Sequence, residues 1–124
     1  MSRMVMKEAP DVDFYVEWSS VVEAPTACGT RDEIARVIGG DVAERLARCD
    51  ATGTTSLWVE TAGMRDRYPE EGAWDDDSFI YMQLGILTRA GVFELARRPM
   101  GADVSDLLTP FEDDAEVARM RRRP

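Results

Sequence analysis

The longest apolar run in the chain covers residues 78–95 and is rich in β-branched and aromatic residues. Gly85 and Gly91 interrupt this run, which contains no proline. A helix through the run would carry both glycines in its interior, at about 1 kcal/mol each relative to alanine. The pattern therefore predicts two central strands, at 78–84 and 86–96, with Gly85 at a bend, a bulge or a close approach of another backbone.

Polar and apolar residues alternate over residues 13–19, which predicts a half-buried strand. A second strand is expected at 21–28, where Pro25 favours an edge position or a bulge. A third is expected at 54–60, after a turn rich in aspartate, threonine and glycine. The apolar side of the first strand carries Phe14, Val16 and Trp18.

Two capping signals predict helices between these strands. Thr30, with Glu33 three residues later, forms the pattern of a capping box and predicts a helix at 31–38. A similar pairing of an aspartate with a glutamate predicts a second helix at 42–50. Both apolar stripes are narrow, so each helix is expected to lie on one face of the sheet.

These elements predict an α+β fold: an antiparallel sheet of four to five strands, with two helices on one face and a C-terminal helix. We expect a flexible leader at 1–12, a single domain at 13–111, and a charged C-terminal helix or tail at 112–124. Acids precede arginines in that last segment, as a helix dipole favours, so the helix is placed at 113–122. The expected core comprises Phe14, Val16, Trp18, Ile34, Val37, Leu46, Leu57, Ile80, Leu84 and Phe93.

Composition changes this picture mainly through charge. The 124 residues include 24 acids and 15 bases, for a net charge of −9, and 44% are hydrophobic. Such a chain can fold around a core, while its charge makes direct nucleic-acid binding unlikely and favours a partner with a basic surface. The chain has no run of about 18 apolar residues, so no membrane span is expected. The predicted location is the cytoplasm of a bacterial host.

The residues that usually carry chemistry are scarce. Histidine is absent, which removes histidine-based catalysis and the commonest metal ligand. Cys28 and Cys49 lack metal-ligand spacing, and Cys49 is expected to be a small buried hydrophobe. We therefore expect no cofactor, no metal site and no enzymatic activity. The enzyme alternative would need paired carboxylates in a cleft, with Glu17, Glu23 and Glu94 as candidates.

An acidic stretch at 60–77 is the most distinctive feature of the sequence. Its Trp74 stands beside three aspartates, and an aromatic anchor surrounded by acids suits a basic protein partner. The alternatives are a solvated loop whose tryptophan covers the core, and a metal site, for which three consecutive aspartates are poorly spaced. The residues predicted to bind a partner are Tyr68, Glu70, Glu71, Trp74, Asp75, Asp76 and Asp77.

Three stretches carry a family resemblance: Asp13-Phe-Tyr-Val-Glu-Trp-Ser, Arg45-Leu-Ala-Arg-Cys-Asp-Ala-Thr-Gly-Thr-Thr-Ser and Ile80-Tyr-Met-Gln-Leu-Gly-Ile-Leu-Thr-Arg. Together with their surroundings, these stretches are similar to small acidic uncharacterised proteins of actinobacteria and their phages. The resemblance implies a phage or prophage setting, and it assigns no catalytic residue.

The sequence thus predicts a small, non-enzymatic viral protein that binds a host or viral protein as an inhibitor or modulator. Two alternatives remain open. One is a virion structural or assembly component, which would form a homo-oligomer, and the other is a carboxylate-dependent enzyme.

Overall fold

The computed structural model describes residues 3–19, 21–55 and 72–111. Three strands form an antiparallel sheet in the order β1-β2-β3, so β2 is central and β3 is an edge strand. The three strands are β1 (Arg3–Ala9), β2 (Val12–Ser19) and β3 (Ala24–Gly29).

The expectation of a flexible leader at 1–12 is wrong for the residues of β1. This strand pairs with β2 from Arg3 opposite Ser19 to Ala9 opposite Val12, as one arm of a hairpin. Pro10 lies in the turn of that hairpin, so it ends the strand without preventing it. The consecutive apolar residues of β1 are buried on both faces of the sheet.

Both faces of the sheet are buried, which explains why β2 is not half-exposed as its alternation predicts. One face carries Met4, Met6, Val16 and Trp18 and packs on the later elements of the chain. The other face carries Val5 and Tyr15 and packs on the first two helices. Tyr15 is only 1% exposed, although its position in the alternation suggested the solvent side.

The two predicted helices are present on this second face as α1 (Arg31–Ala35) and α2 (Val42–Thr52). The capping box of α1 is complete, because the Thr30 hydroxyl accepts the Glu33 N–H at 3.4 Å and the Glu33 carboxylate accepts the Thr30 N–H at 2.9 Å. Helix α1 is shorter than expected. Val37 lies beyond its end and is 60% exposed, so its assignment to the core is wrong.

The apolar run at 78–95 folds differently from the prediction. It contains β4 (Phe79–Tyr81) and β5 (Gly85–Leu87), which pair as a separate hairpin, and then α3 (Arg89–Arg97). The predicted strand at 86–96 is therefore wrong after Leu87.

Two glycines explain this arrangement of the run. Thr88 is the N-cap of α3, and its hydroxyl accepts the Gly91 N–H at 3.0 Å. Gly91 consequently lies in the first helical turn, where its N–H is capped by Thr88 and it interrupts no helix interior. At Gly85 a Cβ would lie 3.0 Å from the carbonyl oxygen of Thr109, which confirms the expected close approach of another backbone.

The α+β class is confirmed, but a three-stranded and a two-stranded sheet stand where one sheet of four to five strands was expected. Helix α3 packs on the opposite face of the main sheet from α1 and α2. Most of the predicted third strand, Leu57 and the predicted helix at 113–122 lie outside the described residues. The expected core residues that are buried are Val16, Trp18, Ile34, Leu46, Ile80 and Phe93, with Phe14 partly buried beside them.

Candidate functional site

The turn after β2 and the turn after β4 meet at one end of the molecule. The Met82 N–H donates a hydrogen bond to the Glu23 carbonyl oxygen at 3.1 Å. Among the described residues, the non-glycine residues with left-handed backbone all lie in these two turns: Glu23 (φ +59°), Met82 (+45°) and Gln83 (+60°). Such a conformation costs an L-residue about 1–2 kcal/mol. Strained residues cluster at ligand clamps and switch regions, so these turns are candidates for a functional site.

Four large apolar side chains project from the two turns into solvent. They are Val21 (73% exposed), Val22 (54%), Met82 (52%) and Leu84 (64%), and we call this set the turn patch. Leu84 was expected in the core, and its exposure corrects that prediction. Single exposed apolar residues are normal, whereas a group on two bonded turns is a candidate interaction surface.

A groove of about 350 Å³ continues from the turn patch between β3 and the segment that follows α3. We call it the β3 groove. Residues 24–28 form one wall, and the opposite wall includes Leu95, Pro99 and Met100. Tyr81, which directly precedes the second turn, also lines it. Pro25 marks β3 as an edge strand with a bulge opposite Glu17 and Trp18, as its position in the sequence predicted.

The two cysteines differ sharply in access. Cys28 is exposed and lines the β3 groove, where its thiol donates to the Ala96 carbonyl oxygen at 3.5 Å. Cys49 is fully buried under β1 and donates to the Val5 carbonyl oxygen at 3.3 Å. Burial raises the pKa of the Cys49 thiol to about 12. Cys49 is therefore the inert buried hydrophobe that the sequence predicted, and Cys28 is a natural chemical probe of the groove.

Arg98 is the one charged residue among the described residues that line the β3 groove, and three acids lie beside it. The Arg98 guanidinium holds both carboxylate oxygens of Asp106, at 2.6 and 2.8 Å, and its Nε lies 3.5 Å from Glu94. The hydrogen bonds from Arg98 lower the pKa of Asp106. Asp103 adds a third carboxylate, whose pKa is lowered by the Ser105 N–H that it accepts. The groove is thus lined by a cation, and the three acids around Arg98 lie just outside the lining.

The acidic stretch predicted as the partner site is partly built into the fold. Asp76 is buried, and its carboxylate accepts the Gly72 N–H at 2.9 Å and the Ser78 N–H at 3.2 Å. Asp77 accepts the Arg89 N–H at 2.9 Å at the start of α3. Asp75 is exposed. Tyr68, Glu70 and Glu71 lie outside the described residues, and partner binding by this stretch stays a prediction.

Trp74 packs against a buried arginine. Its ring lies 4.9 Å from the Arg89 guanidinium carbon, and the Arg89 side chain is almost fully buried. Arg89 donates to the carbonyl oxygens of Gly72 (3.0 Å), Glu8 (2.9 Å), Gly53 (2.8 Å) and Lys7. Burial lowers the pKa of Arg89, and nearby acids oppose that change. Trp74 and Arg89 therefore form a structural junction of β1, the end of α2 and α3.

A second polar cluster surrounds Asp50 near the end of α2. Its carboxylate accepts hydrogen bonds from Lys7 (3.1 Å), Tyr15 (3.0 Å) and Arg31 (2.8 Å). Partial burial raises the pKa of Asp50, but these three hydrogen bonds outweigh it and lower the pKa. The cations are satisfied by Asp50 itself, so the cluster ties β1, β2 and α1 to α2.

The carboxylates considered for catalysis do not converge. Glu17 is buried on the sheet face of Tyr15, where it accepts the Thr26 hydroxyl at 2.7 Å and lies 3.7 Å from Arg3. Glu94 is on α3, which packs on the opposite face. Glu23 is in the turn after β2. The geometry thus gives no support to a carboxylate pair made from these residues.

In the part of the chain that the structure describes, no group of three or more acidic, cysteine or histidine side chains could hold a metal ion. Within the same residues, no helix combines the length and apolar character that crossing a membrane requires. Comparison with known protein families, with curated proteins and with solved structures yields no match for this chain. The turn patch and the β3 groove are features that the sequence analysis missed, although Val21-Val22 in a turn was a visible signal.

Proposed function

We propose that this protein is a small acidic binding protein whose protein partner docks on the turn patch. The observation that carries the proposal is the exposure of Val21, Val22, Met82 and Leu84 on two hydrogen-bonded turns. Contact with a partner would remove this apolar surface from water, which stabilises a complex by about 25 cal/mol per Å² before the costs of association.

The strained backbone supports a functional role for these turns. Glycine would adopt the conformations of Glu23, Met82 and Gln83 without the steric cost. The chain instead has side chains larger than glycine at these three positions, and the side chain of Met82 is exposed. Because backbone strain persists where a site benefits from a fixed shape, the two turns present the apolar side chains in a preorganised form.

The charge of the protein indicates the chemistry of the partner. The net charge is −9, and Glu94, Asp103 and Asp106 surround Arg98, which lines the neighbouring groove. Complementary potentials speed encounter and reject partners of like charge. The proposed partner therefore combines an apolar contact surface with a basic surround. We further propose a phage or prophage setting in a bacterial host, from the resemblance described above.

Affinity capture from an actinobacterial lysate tests the proposal with matched variants. Val22→Ser with Leu84→Ser removes half of the turn patch, whereas Val37→Ser changes an equally exposed valine on another part of the surface. We expect the double variant to lose a partner that the wild type and the Val37→Ser variant both retain. Circular dichroism and unfolding curves of all three proteins confirm that the fold is intact.

Two outcomes would overturn the proposal. Equal capture by all three proteins would remove the turn patch from the binding surface. A discrete oligomer of the wild type alone, dispersed by the double variant, would favour the assembly alternative, in which the patch joins copies of this chain.

A further inference from the structure

We propose that the partner contributes an extended segment, apolar and basic, which pairs with the outer edge of β3 inside the β3 groove. This inference rests on the proposed function, because it describes how the same partner would bind. Its basis is the position of the groove relative to the backbone of an edge strand.

In the described residues, no strand pairs with the outer edge of β3. β3 is the last strand of the main sheet, and an edge strand directs every second N–H and C=O group away from its neighbour. Within the described part of the chain, the backbone hydrogen bonds of residues 24–28 to other backbone groups go to β2. The outward groups are thus available to a further strand, as in recognition by strand addition.

The groove reaches the backbone edge of the strand. Side chains alternate between the two faces of a strand, so the side chains on one face belong to every second residue. The β3 groove is lined by all five of residues 24–28, and also by Tyr81 and Leu95, which pack on the Met4 and Trp18 face of the sheet. It therefore covers the backbone edge of β3 together with part of that face. Its volume of about 350 Å³ is at the low end of ligand pockets, which suits a short stretch of extended chain.

The groove also defines the register and chemistry of its occupant. Pro25 has no N–H to donate, so outward pairing falls on residues 26–28. Pro99 and Met100 offer apolar contacts to alternate side chains of the incoming segment. Glu94, Asp103 and Asp106 lie around Arg98 just outside the groove, and this excess of acids favours lysine or arginine on the side chains that point out of it.

A second copy of this chain is a poor occupant. Pairing of β3 with β3 would bring together two molecules that each carry a net charge of −9. A basic partner gains from the same charges.

Synthetic peptides and the Cys28 thiol test the inference directly. The probe is a capped peptide of alternating lysine and valine. The first control has the same side chains with every peptide nitrogen methylated, and the second replaces lysine by glutamate. We expect the lysine peptide to slow alkylation of Cys28 by iodoacetamide about tenfold, and to slow exchange of the outward-pointing amides among residues 26–28. Neither control should do so, because one lacks backbone donors and the other has the wrong charge.

Three results would overturn strand addition. They are equal protection by the methylated peptide, no protection up to the solubility limit of the lysine peptide, and self-association that protects Cys28 without any peptide. Cys49 serves as the internal reference, since its buried thiol should remain unmodified throughout.

Capture with a blocked groove separates this inference from the proposed function. Cys28→Trp fills the β3 groove, and Val37→Trp adds the same bulk elsewhere. Loss of the partner on both the turn-patch variant and Cys28→Trp supports both proposals. Loss on the turn-patch variant alone keeps the proposed function and rejects strand addition, while retention by both variants rejects the proposed function itself.

Discussion

The guanidinium carbon of Arg89 lies 4.9 Å from the centroid of the Trp74 ring, above the turn that ends α2 at Gly53. The four carbonyl oxygens that Arg89 binds come from three separate parts of the chain. Trp74, which the sequence suggested as an exposed anchor for a partner, therefore forms one side of an internal junction. We expect Trp74 to contribute to the stability of the fold, before any effect on binding.

Trp74→Ala is predicted to lower the free energy of unfolding by about 2–4 kcal/mol, because it uncovers a buried cation and removes a half-buried ring. Trp74→Phe keeps an aromatic face over Arg89 and should lose less than half as much. Urea unfolding at neutral pH measures both variants. An unchanged midpoint for Trp74→Ala would contradict the junction, and it would restore the exposed-anchor interpretation.

Gly53→Ala should be far more harmful than Gly101→Ala, although both glycines have left-handed backbone (φ +90° and +86°). A Cβ at Gly53 would lie 2.7 Å from the Trp74 ring and 2.8 Å from the Arg89 guanidinium, whereas a Cβ at Gly101 meets nothing within 4 Å. Both variants bear a conformational cost of about 1 kcal/mol. Only Gly53→Ala should add a clash, giving a total of about 3 kcal/mol or more in thermal or urea unfolding. Similar losses of stability for the two variants would show that Trp74 and Arg89 can move aside at little cost in free energy.

Residue Gln83 provides a test of strain in the turns. Its φ of +60° is left-handed and its side chain is exposed, so Gln83→Gly relieves strain. We expect no loss of stability, and a gain of up to about 1 kcal/mol. Ala47→Gly, at an exposed position in the interior of α2, should instead lose about 1 kcal/mol. Equal losses for the two variants would mean that the turn is unstrained.

The Asp50 cluster is predicted to make the protein less stable as the pH falls. Its hydrogen bonds hold the pKa of Asp50 below the ordinary value. The contribution of Asp50 to stability is thus fully present above the pKa that Asp50 has in the unfolded chain. It is lost as the pH falls through the lower pKa that Asp50 has in the folded protein. Its size is on the order of 1 kcal/mol, because solvent screens a carboxylate that is 39% exposed. Asp50→Asn should therefore be less stable than wild type at pH 7, with a difference that shrinks by pH 2. A difference that persists at pH 2 would contradict this account.

Local signals in the sequence were sufficient for part of the fold. The capping residues Thr30 and Asp41 placed the starts of α1 and α2, and Pro25 placed the edge strand. Each of these signals acts within a few residues, through a cap or a missing N–H. The burial of Cys49 was predicted correctly from its place on a narrow apolar stripe of α2.

The features that the sequence did not predict depend on how distant parts of the chain pack against each other. Strand β1 was missed because Met4, Val5 and Met6 show no alternation, and they need none when both faces of a sheet are buried. Helix α3 was missed because Gly91 was counted as an interior glycine, whereas it lies in the capped first turn. The turn patch escaped because apolar residues were assigned to the core by type, and exposure depends on which neighbours the chain brings to them.

The most direct test of the turn patch as a binding surface is site-specific photo-crosslinking in lysate. A photo-reactive phenylalanine analogue replaces, in turn, Leu84 of the turn patch, Asp75 of the acidic stretch and the exposed Val37. We predict a discrete crosslinked partner from position 84, and none from position 37. A partner crosslinked from position 75 but not from position 84 would contradict this prediction and return the binding site to the acidic stretch.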